Sequence, residues 1–327
     1  MTKLPRRRLL HAMLAWAGGA ALRPLDAQTH WPSKPLRIIV VYPPGGLSDG
    51  VARSLAERLS LQLGVPVRVE NRAGGGGSVG LQALARAEPD GHTLAFSAVS
   101  PLTLRPHLGV VGQDPLRGIE PVASVMYTPV LLVGTPAFSG HNFADVLSQA
   151  RERPEALRWA TSGLATAGHL VLEQVQLGSG IVVTHIPYKG GGQQLTDALG
   201  GQFELLSTNV APTQLSHIEA GRFKPLAVGA PQRLDVLPQV PTFAELGLPH
   251  ANVSSLFGLF APGGTHPMLL DRWNTEINQA VQAPDIRERL LASDNLPATG
   301  DRPAFVRRIA EEWRSNRRLK GLNVRLE

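Results

Sequence analysis

The sequence predicts an α/β protein built as two units of similar design, each a mostly parallel sheet flanked by helices. Three observations carry the prediction. Short β-branched apolar runs alternate with segments whose apolar residues recur every three to four positions. Gly (34) and Pro (27) are plentiful, as many short connections require. A chain of 327 residues with a 43% hydrophobic share can fill about two ordinary cores.

The first strand is Leu36-Arg37-Ile38-Ile39-Val40-Val41-Tyr42, ended by Pro43-Pro44-Gly45-Gly46. A helix follows, with Val51, Leu55, Leu59 and Leu63 at i+4 spacing and Ala52 and Ala56 widening the stripe. Residues 65–69 read as a second strand, 78–87 as a helix and 93–97 as a third strand. The same grammar then restarts. Strand 130–133, helix 143–151 and strand 157–160 precede a helix from about Ala167, strand 182–185 and a helix after Gly190. Strands are expected around 203–206 and 225–228. The Pro/Gly-rich stretch 230–249 reads as a surface connection, and 257–260 as one more strand. Leu270, Trp273, Ile277 and Val281 mark an amphipathic helix, and two further helical patterns run to the C-terminus. These last helices are expected to pack back on the first unit, making it discontinuous: residues 30–127 with 252–327, around a second domain at 128–251.

The N-terminus is a separate matter. Arg6-Arg7-Arg8, an apolar stretch over 9–22 and Leu25-Asp26-Ala27 have the layout of a cleavable secretory signal. The apolar stretch is short for a membrane span, which needs about 20 residues. The arginines also resemble a twin-arginine signal, with Leu9 where Phe is commoner and His11 where Lys is usual. Removing residues 1–27 leaves 27 Lys+Arg against 25 Asp+Glu, so most of the formal charge of +6 belongs to the signal. No basic patch with interleaved aromatics remains to recommend nucleic-acid binding. The basic residues at 307–308 and 314–320 sit on a helical pattern and read as a solvated face. With no cysteine, disulfides, thiolate metal sites and Cys nucleophiles are excluded.

Three loops share one layout of strand, small-residue turn and helix: residues 42–49, 71–80 and 161–169. A helix start presents unpaired N–H groups and the positive end of the helix dipole. Glycines let such groups converge, and the result can hold a carboxylate or phosphate without Arg or Lys. Each loop could equally be an ordinary turn. Gly46-Leu47-Ser48-Asp49-Gly50 fits the nucleophile elbow G-x-S-x-G. This is the first strand, however, which leaves no preceding strands to supply the oxyanion loop, and no histidine signature nominates a base. Asp49 reads instead as the helix N-cap. Gly75-Gly76-Gly77-Ser78-Val79-Gly80 fits G-x-G-x-x-G, but no acidic residue lies between 93 and 104 to hold a ribose. No cofactor or metal is expected: there is no H-x-x-x-H pair, and His169 is expected to bond its own turn.

Together these residues resemble one family. Trp31-Pro32-Ser33-Lys34-Pro35-Leu36-Arg37-Ile38-Ile39-Val40, then Pro43-Pro44-Gly45-Gly46 with Asp49 and Ala52-Arg53, is similar to the start of the tripartite tricarboxylate transporter substrate-binding proteins, the Bug family. The likeness continues through Val69-Glu70-Asn71-Arg72-Ala73-Gly74, Pro89-Asp90-Gly91-His92-Thr93-Leu94 and Pro187-Tyr188-Lys189-Gly190-Gly191. It extends to Ala220-Gly221-Arg222, Pro238-Gln239-Val240-Pro241-Thr242 and Phe257-Gly258-Leu259-Phe260-Ala261-Pro262. It thus spans the mature chain in order.

The resemblance implies a two-lobed, type II-like periplasmic binding protein, monomeric and without catalysis. Such a protein closes on a small carboxylate and hands it to membrane permease subunits, or presents its closed form to a sensor. It implies ligand contacts from Tyr42, Gly45, Gly46, Leu47, Ser48 and Asp49 in one lobe. From the other lobe come Ser162, Gly163, Leu164, Ala165, Thr166 and His169, with Ser78, Ser97, Thr208 and Asn209 as weaker candidates. The chain departs from the family pattern at several places. Tyr42 stands for the usual Phe, Ser78 for a frequent Asn and Leu256 for a frequent Trp. Leu164 and Ala165 stand where a polar residue and Gly are common, which suggests a ligand with an apolar or aromatic body. The runner-up from a different class is a secreted serine hydrolase using Ser48.

Overall fold

The computed structural model describes residues 31–107 and 116–317, so the signal-like segment and the end of the basic C-terminal face lie outside the described residues. The chain from Lys34 onward forms one unit. It begins with β1 (Leu36–Val40), α1 (Leu47–Leu63), β2 (Val67–Asn71), α2 (Ser78–Ala85), β3 (Thr93–Ala98) and α3 (Ser100–Thr103). The long β4 (Ile119–Gly134) leads to α4 (Phe143–Glu152), β5 (Arg158–Thr161), α5 (Ala167–Ser179) and β6 (Thr184–Pro187). Then come α6 (Gly191–Leu199), β7 (Leu205–Asn209), α7 (Pro212–Glu219) and β8 (Lys224–Gly229). The chain returns through β9 (Ser254–Pro262) and finishes with α8 (Pro267–Gln282), α9 (Pro284–Leu291), β10 (Leu296–Pro297) and α10 (Arg302–Asn316).

The strands run in the order β2-β1-β3-β9-β4-β7-β5-β6, with β10 and β8 also paired to β4. Helices flank a mixed sheet, not a mostly parallel one. β1 pairs in parallel with β2 and β3, and β5 with β6 and β7. Every pair that includes β4 or β9 is antiparallel. The reason is topological. β4 carries the chain from the first half of the sheet into the second and β9 carries it back, so the two must run in opposite directions. The early part of β4 pairs with β9 as far as Pro129, and Val130–Gly134 pairs with β7 and β8.

Sequence reading found only the last residues of β4. Pro121 and Pro129 interrupt its pattern, and its register with β9 shifts twice, between Pro121 and Ala123 and between Ser124 and Met126. Proline is tolerated at the first irregularity, which leaves a backbone position without a ladder bond, and Pro129 stands where the ladder with β9 ends. Residues 230–249 also depart from expectation. They are no surface connection, since Leu234, Leu237, Val240, Phe243 and Leu248 are buried and Val228 bridges to Thr242.

The strand period of two sorts the core of the second half cleanly. Val130 and Leu132 of β4 and Trp159 of β5 join one cluster under α4 and α5, with Val171, Leu172 and Phe243. Leu131, Val133 and Ala160 face the other way and pack with Phe203, Leu206, Leu215 and Val228. In the first half Ile39, Val41, Leu84, Phe260 and Phe305 form a third cluster. α8 packs on α1 and β4, with Trp273 buried and donating to the Gly91 carbonyl at 2.8 Å; α10 packs on β4 and α3.

One relay fixes the start of α5 against β7. The Trp159 indole N–H donates to Ser207 Oγ at 2.8 Å, and Ser207 Oγ donates to the Gly168 carbonyl at 2.9 Å. A methyl group on Gly168 would overlap the Ser207 carbonyl, so the helix lies against the strand as closely as glycine allows. Ser207→Ala leaves the buried indole N–H unpaired, at a cost of about 1–3 kcal/mol. We expect that loss in guanidinium unfolding of the mature protein. A change under about 0.5 kcal/mol, the range of an ordinary surface substitution, would show that the relay does not secure α5.

Candidate functional site

The carboxyl ends of β1, β3, β5, β6 and β7 face one cleft, whose open space is about 860 Å³ including its mouth. Crevices at the carboxyl ends of parallel strands are where α/β sheets bind ligands. Four helices of eight or more residues begin there: α1 after Gly46, α5 after Thr166, α6 after Gly190 and α7 after Ala211. The first N–H groups of a helix have no partner inside it and carry the positive end of its dipole. Among the described residues, no Asp, Glu, Lys, Arg or His lines the cleft. Leu195, Leu206 and Phe257 supply apolar wall, and hydroxyls come from Tyr42, Ser48, Ser100, Ser162, Thr208 and Thr213.

Of the residues nominated from sequence, Tyr42, Gly45, Gly46, Leu47, Ser48, Ser162, Thr166, Thr208 and Asn209 line the cleft. Asp49 does not, and it is not the N-cap of α1. That position is Gly46, and Asp49 lies in the first turn with its carboxylate turned back. It accepts from the Gly45 N–H (3.0 Å), Arg53 Nε (3.1 Å) and Asn71 Nδ2 (2.9 Å). Burial alone would raise its pKa, but these donors outweigh burial and hold the carboxyl below its ordinary range. The consequence is a fixed shape for the turn over 43–46.

Ser97 sits behind the wall. It is fully buried and its hydroxyl donates to the Ala98 carbonyl at 2.8 Å. Burial pushes the Tyr42 hydroxyl up to about 12, against the lowering influence of Ser97 and the Ala98 backbone, so Tyr42 stays a neutral hydrogen-bonding group. Ser78 is the first residue of α2, and no residue of the 71–80 loop is among those that line the cleft. Its Gly76 packs against the Leu164 carbonyl, where a methyl group would overlap. Gly190, at φ +142°, meets the Pro43 ring just as closely. These two contacts join loops of the first half of the sheet to loops of the second.

Gly163, Leu164, Ala165 and His169 also stand outside the lining. They shape the turn that precedes α5. Thr166 Oγ1 donates to the Gly163 carbonyl at 2.8 Å and accepts from the His169 N–H. Ala165 adopts φ +58°, a left-handed conformation that usually costs a non-glycine residue about 1–2 kcal/mol. Its N–H donates to His169 Nδ1 at 3.1 Å, the local bond expected of that histidine. Leu164 and Ala165 are not among the residues that supply the apolar wall of the cleft. Sequence reading missed Gly190–Gly192, Gln194, Thr213 and Gln214. Their signals were present: a fourth strand–glycine–helix turn at 186–191, and Pro212 at a first helical position.

Ser48 makes no hydrogen bond to a histidine among the described residues, so no nucleophile–base pair is assembled. Nor do three His, Asp or Glu side chains group to hold a metal among them. No described helix is long and apolar enough to cross a membrane.

Residues 51–323 match the tripartite tricarboxylate transporter family receptor, TctC. The chain belongs to this family. Among TctC relatives, Protein BugT of Bordetella pertussis is 37% identical over 307 residues, 92% of each chain. The periplasmic binding protein BugD superposes with a TM-score of 0.82 at 27% identity, over 88% of this chain and 97% of that one. R. palustris Rpa4515 with adipate gives a TM-score of 0.83 at 29% identity, over 89% and 99%. The fold is therefore that of the TctC periplasmic binding proteins.

Behind the α5 turn, the rings of His169 and His185 stack with centroids 4.4 Å apart and planes 9° from parallel. His185 Nε2 lies 2.7 Å from Thr161 Oγ1. Burial disfavours the imidazolium of His185 and the adjacent His169 adds to this, pushing its pKa down to about 3. An unfolded histidine near its ordinary value takes up a proton that the folded site refuses. Stability from this source is therefore complete above about pH 6.5 and is lost as pH falls toward 3. We expect the His185 ring to show no NMR titration between pH 8 and 4.5. A midpoint near 6.5 would contradict a partly buried, neutral ring.

Proposed function

We propose that this TctC protein is exported, loses its signal near Ala27, and captures a small carboxylate in the periplasm by closing two lobes, with no covalent step. Four helix starts aimed at one cleft without charged side chains are the observation that carries the reading. Such a site favours an anion through oriented N–H groups. The adipate bound to the R. palustris neighbour supports a carboxylate as the ligand class. The contacts we assign to the ligand are the backbone of Gly45, Gly46 and Leu47, the hydroxyls of Ser48, Ser162 and Thr166, and the walls Tyr42, Thr208 and Asn209.

The lobes are residues 30–127 with 252–327, and 128–251. The passage of β4 and β9 between the two halves of the sheet supports a hinge at those strands, around Pro129 and Ser254. The closed monomer would then deliver its ligand to the permease subunits of a tripartite transporter, or be recognised by a sensor.

Mass spectrometry of small molecules released from the purified mature protein should identify a carboxylate. The same compound should raise the melting temperature once it exceeds its dissociation constant. Gly46→Asp supplies the sharper test. Gly46 has ordinary extended geometry and open space where a Cβ would stand. Aspartate there caps α1 and puts its own carboxylate at the helix start, so the variant should be at least as stable as wild type but should bind the released carboxylate at least about tenfold more weakly. Unchanged affinity in a folded Gly46→Asp protein would remove the start of α1 from the anion site.

A further inference from the structure

Two cleft residues are built in a way that the capture of a carboxylate alone does not explain. Gln194, in the first turns of α6, and Gln214, in the first turn of α7, are 1% and 3% exposed and both line the cleft. In each, the amide nitrogen and the amide oxygen are both buried without a hydrogen-bond partner. Because both ends of each side chain are unpaired, the conclusion does not depend on which way the amide is turned. Unpaired buried amides are costly, at about 1–3 kcal/mol per group, and two such side chains at one cleft are outside the usual pattern of satisfied interiors. Neither is a remnant of packing: apolar neighbours such as Leu195, Ala198 and Leu215 already fill the adjoining core.

We propose that Gln194 and Gln214 are specificity-determining residues that read a neutral group, able both to donate and to accept hydrogen bonds, on the end of the ligand remote from its carboxylate. The ligand class is a monocarboxylate carrying a hydroxyl or carboxamide. The inference rests on the carboxylate-capture reading and narrows it. A terminal methyl would leave every amide atom unpaired. A second carboxylate can accept from the two amide N–H groups but has no proton to give the two Oε1 atoms. A terminal ammonium would bring positive charge among four helix starts, whose dipoles oppose it. A carboxamide can serve the N–H and the oxygen sides of both glutamines, and a hydroxyl can accept from both while donating to one of them.

Calorimetric titration of the mature protein with matched acids tests this. The four-carbon set is butyrate, 4-hydroxybutyrate, succinamate and succinate. The six-carbon set is hexanoate, 6-hydroxyhexanoate, adipamate and adipate. In at least one set the hydroxyl- or amide-terminated acid should bind about tenfold or more tighter than both the methyl-terminated acid and the diacid. Gln194→Met and Gln214→Met keep the side-chain length, so each should cut that preference severalfold while leaving the methyl-terminated acid bound as well or better. Because each removes unpaired buried groups, the ligand-free variants should melt no lower than wild type. Tightest binding of a diacid or methyl-terminated acid, or a preference unaltered in folded Met variants, overturns the inference while the capture reading stands. Failure of all eight acids and of any co-purified carboxylate to bind sinks the capture reading, and this inference with it.

Discussion

The site depends on the convergence of four helix starts, of α1, α5, α6 and α7, on one small volume. Each carries a partial positive charge, up to roughly half an elementary charge for a long helix. Ends of like sign repel, and the cleft offers no acidic side chain to balance them. A bound anion supplies the missing charge. In the proposed capture by closure, the same group that fills the cleft would remove the repulsion between its walls. A catalytic site organised this way would still need a base, and the histidines described near the α5 turn are engaged with Thr161 and Ala165 instead of with Ser48.

Approach of the walls is limited by sterics before electrostatics. Where loops of the two halves meet, the contacts are Gly76 against the Leu164 carbonyl and Gly190 against the Pro43 ring, each too close to admit even a methyl group. Glycine is required there for proximity and also for its φ values of +64° and +142°. Behind these contacts the turns are held rigidly. Asp49 ties Gly45, Arg53 and Asn71 together on one side, and Thr166 with His169 ties the 163–166 turn on the other. Mobile walls would blur the positions of the N–H groups and weaken their advantage over water. Preorganisation by side chains that never touch the ligand is what gives backbone donors their selectivity.

Much of this was legible in the sequence, for identifiable reasons. Strand–glycine–helix turns at 42–49 and 161–169 are local features, and both mark real walls of the cleft. The turn at 71–80 has the same local signature but a different fate, because its glycines serve a close backbone contact and not a ligand. Only tertiary placement separates the two uses. The length of β4 was hidden for a similar reason: Pro121 and Pro129 are local strand-breakers that its irregular pairing with β9 tolerates. Leu164 and Ala165 illustrate the limit from the other side. Their chemistry suggested an apolar pocket, whereas neither residue is among those that line the cleft. Gln194 and Gln214 were not singled out in the sequence, and it is the lack of partners in a buried setting that gives them meaning.

The charge of the cleft also bounds what it can hold. Four helix starts of about half a charge each could match about two negative charges at most, and α6 and α7, at 9 and 8 residues, fall short of the full dipole. A third carboxylate would be buried without compensation, at a cost of several kcal/mol. Leu195, Leu206 and Phe257 make the wall apolar and offer such a charge no water-like alternative. A family named for tricarboxylates can thus include a member whose cleft, on electrostatic grounds alone, suits one or two charges. With a single charge on the α1 and α5 starts, the apolar wall and the two unpaired amides would face the uncharged remainder of the ligand.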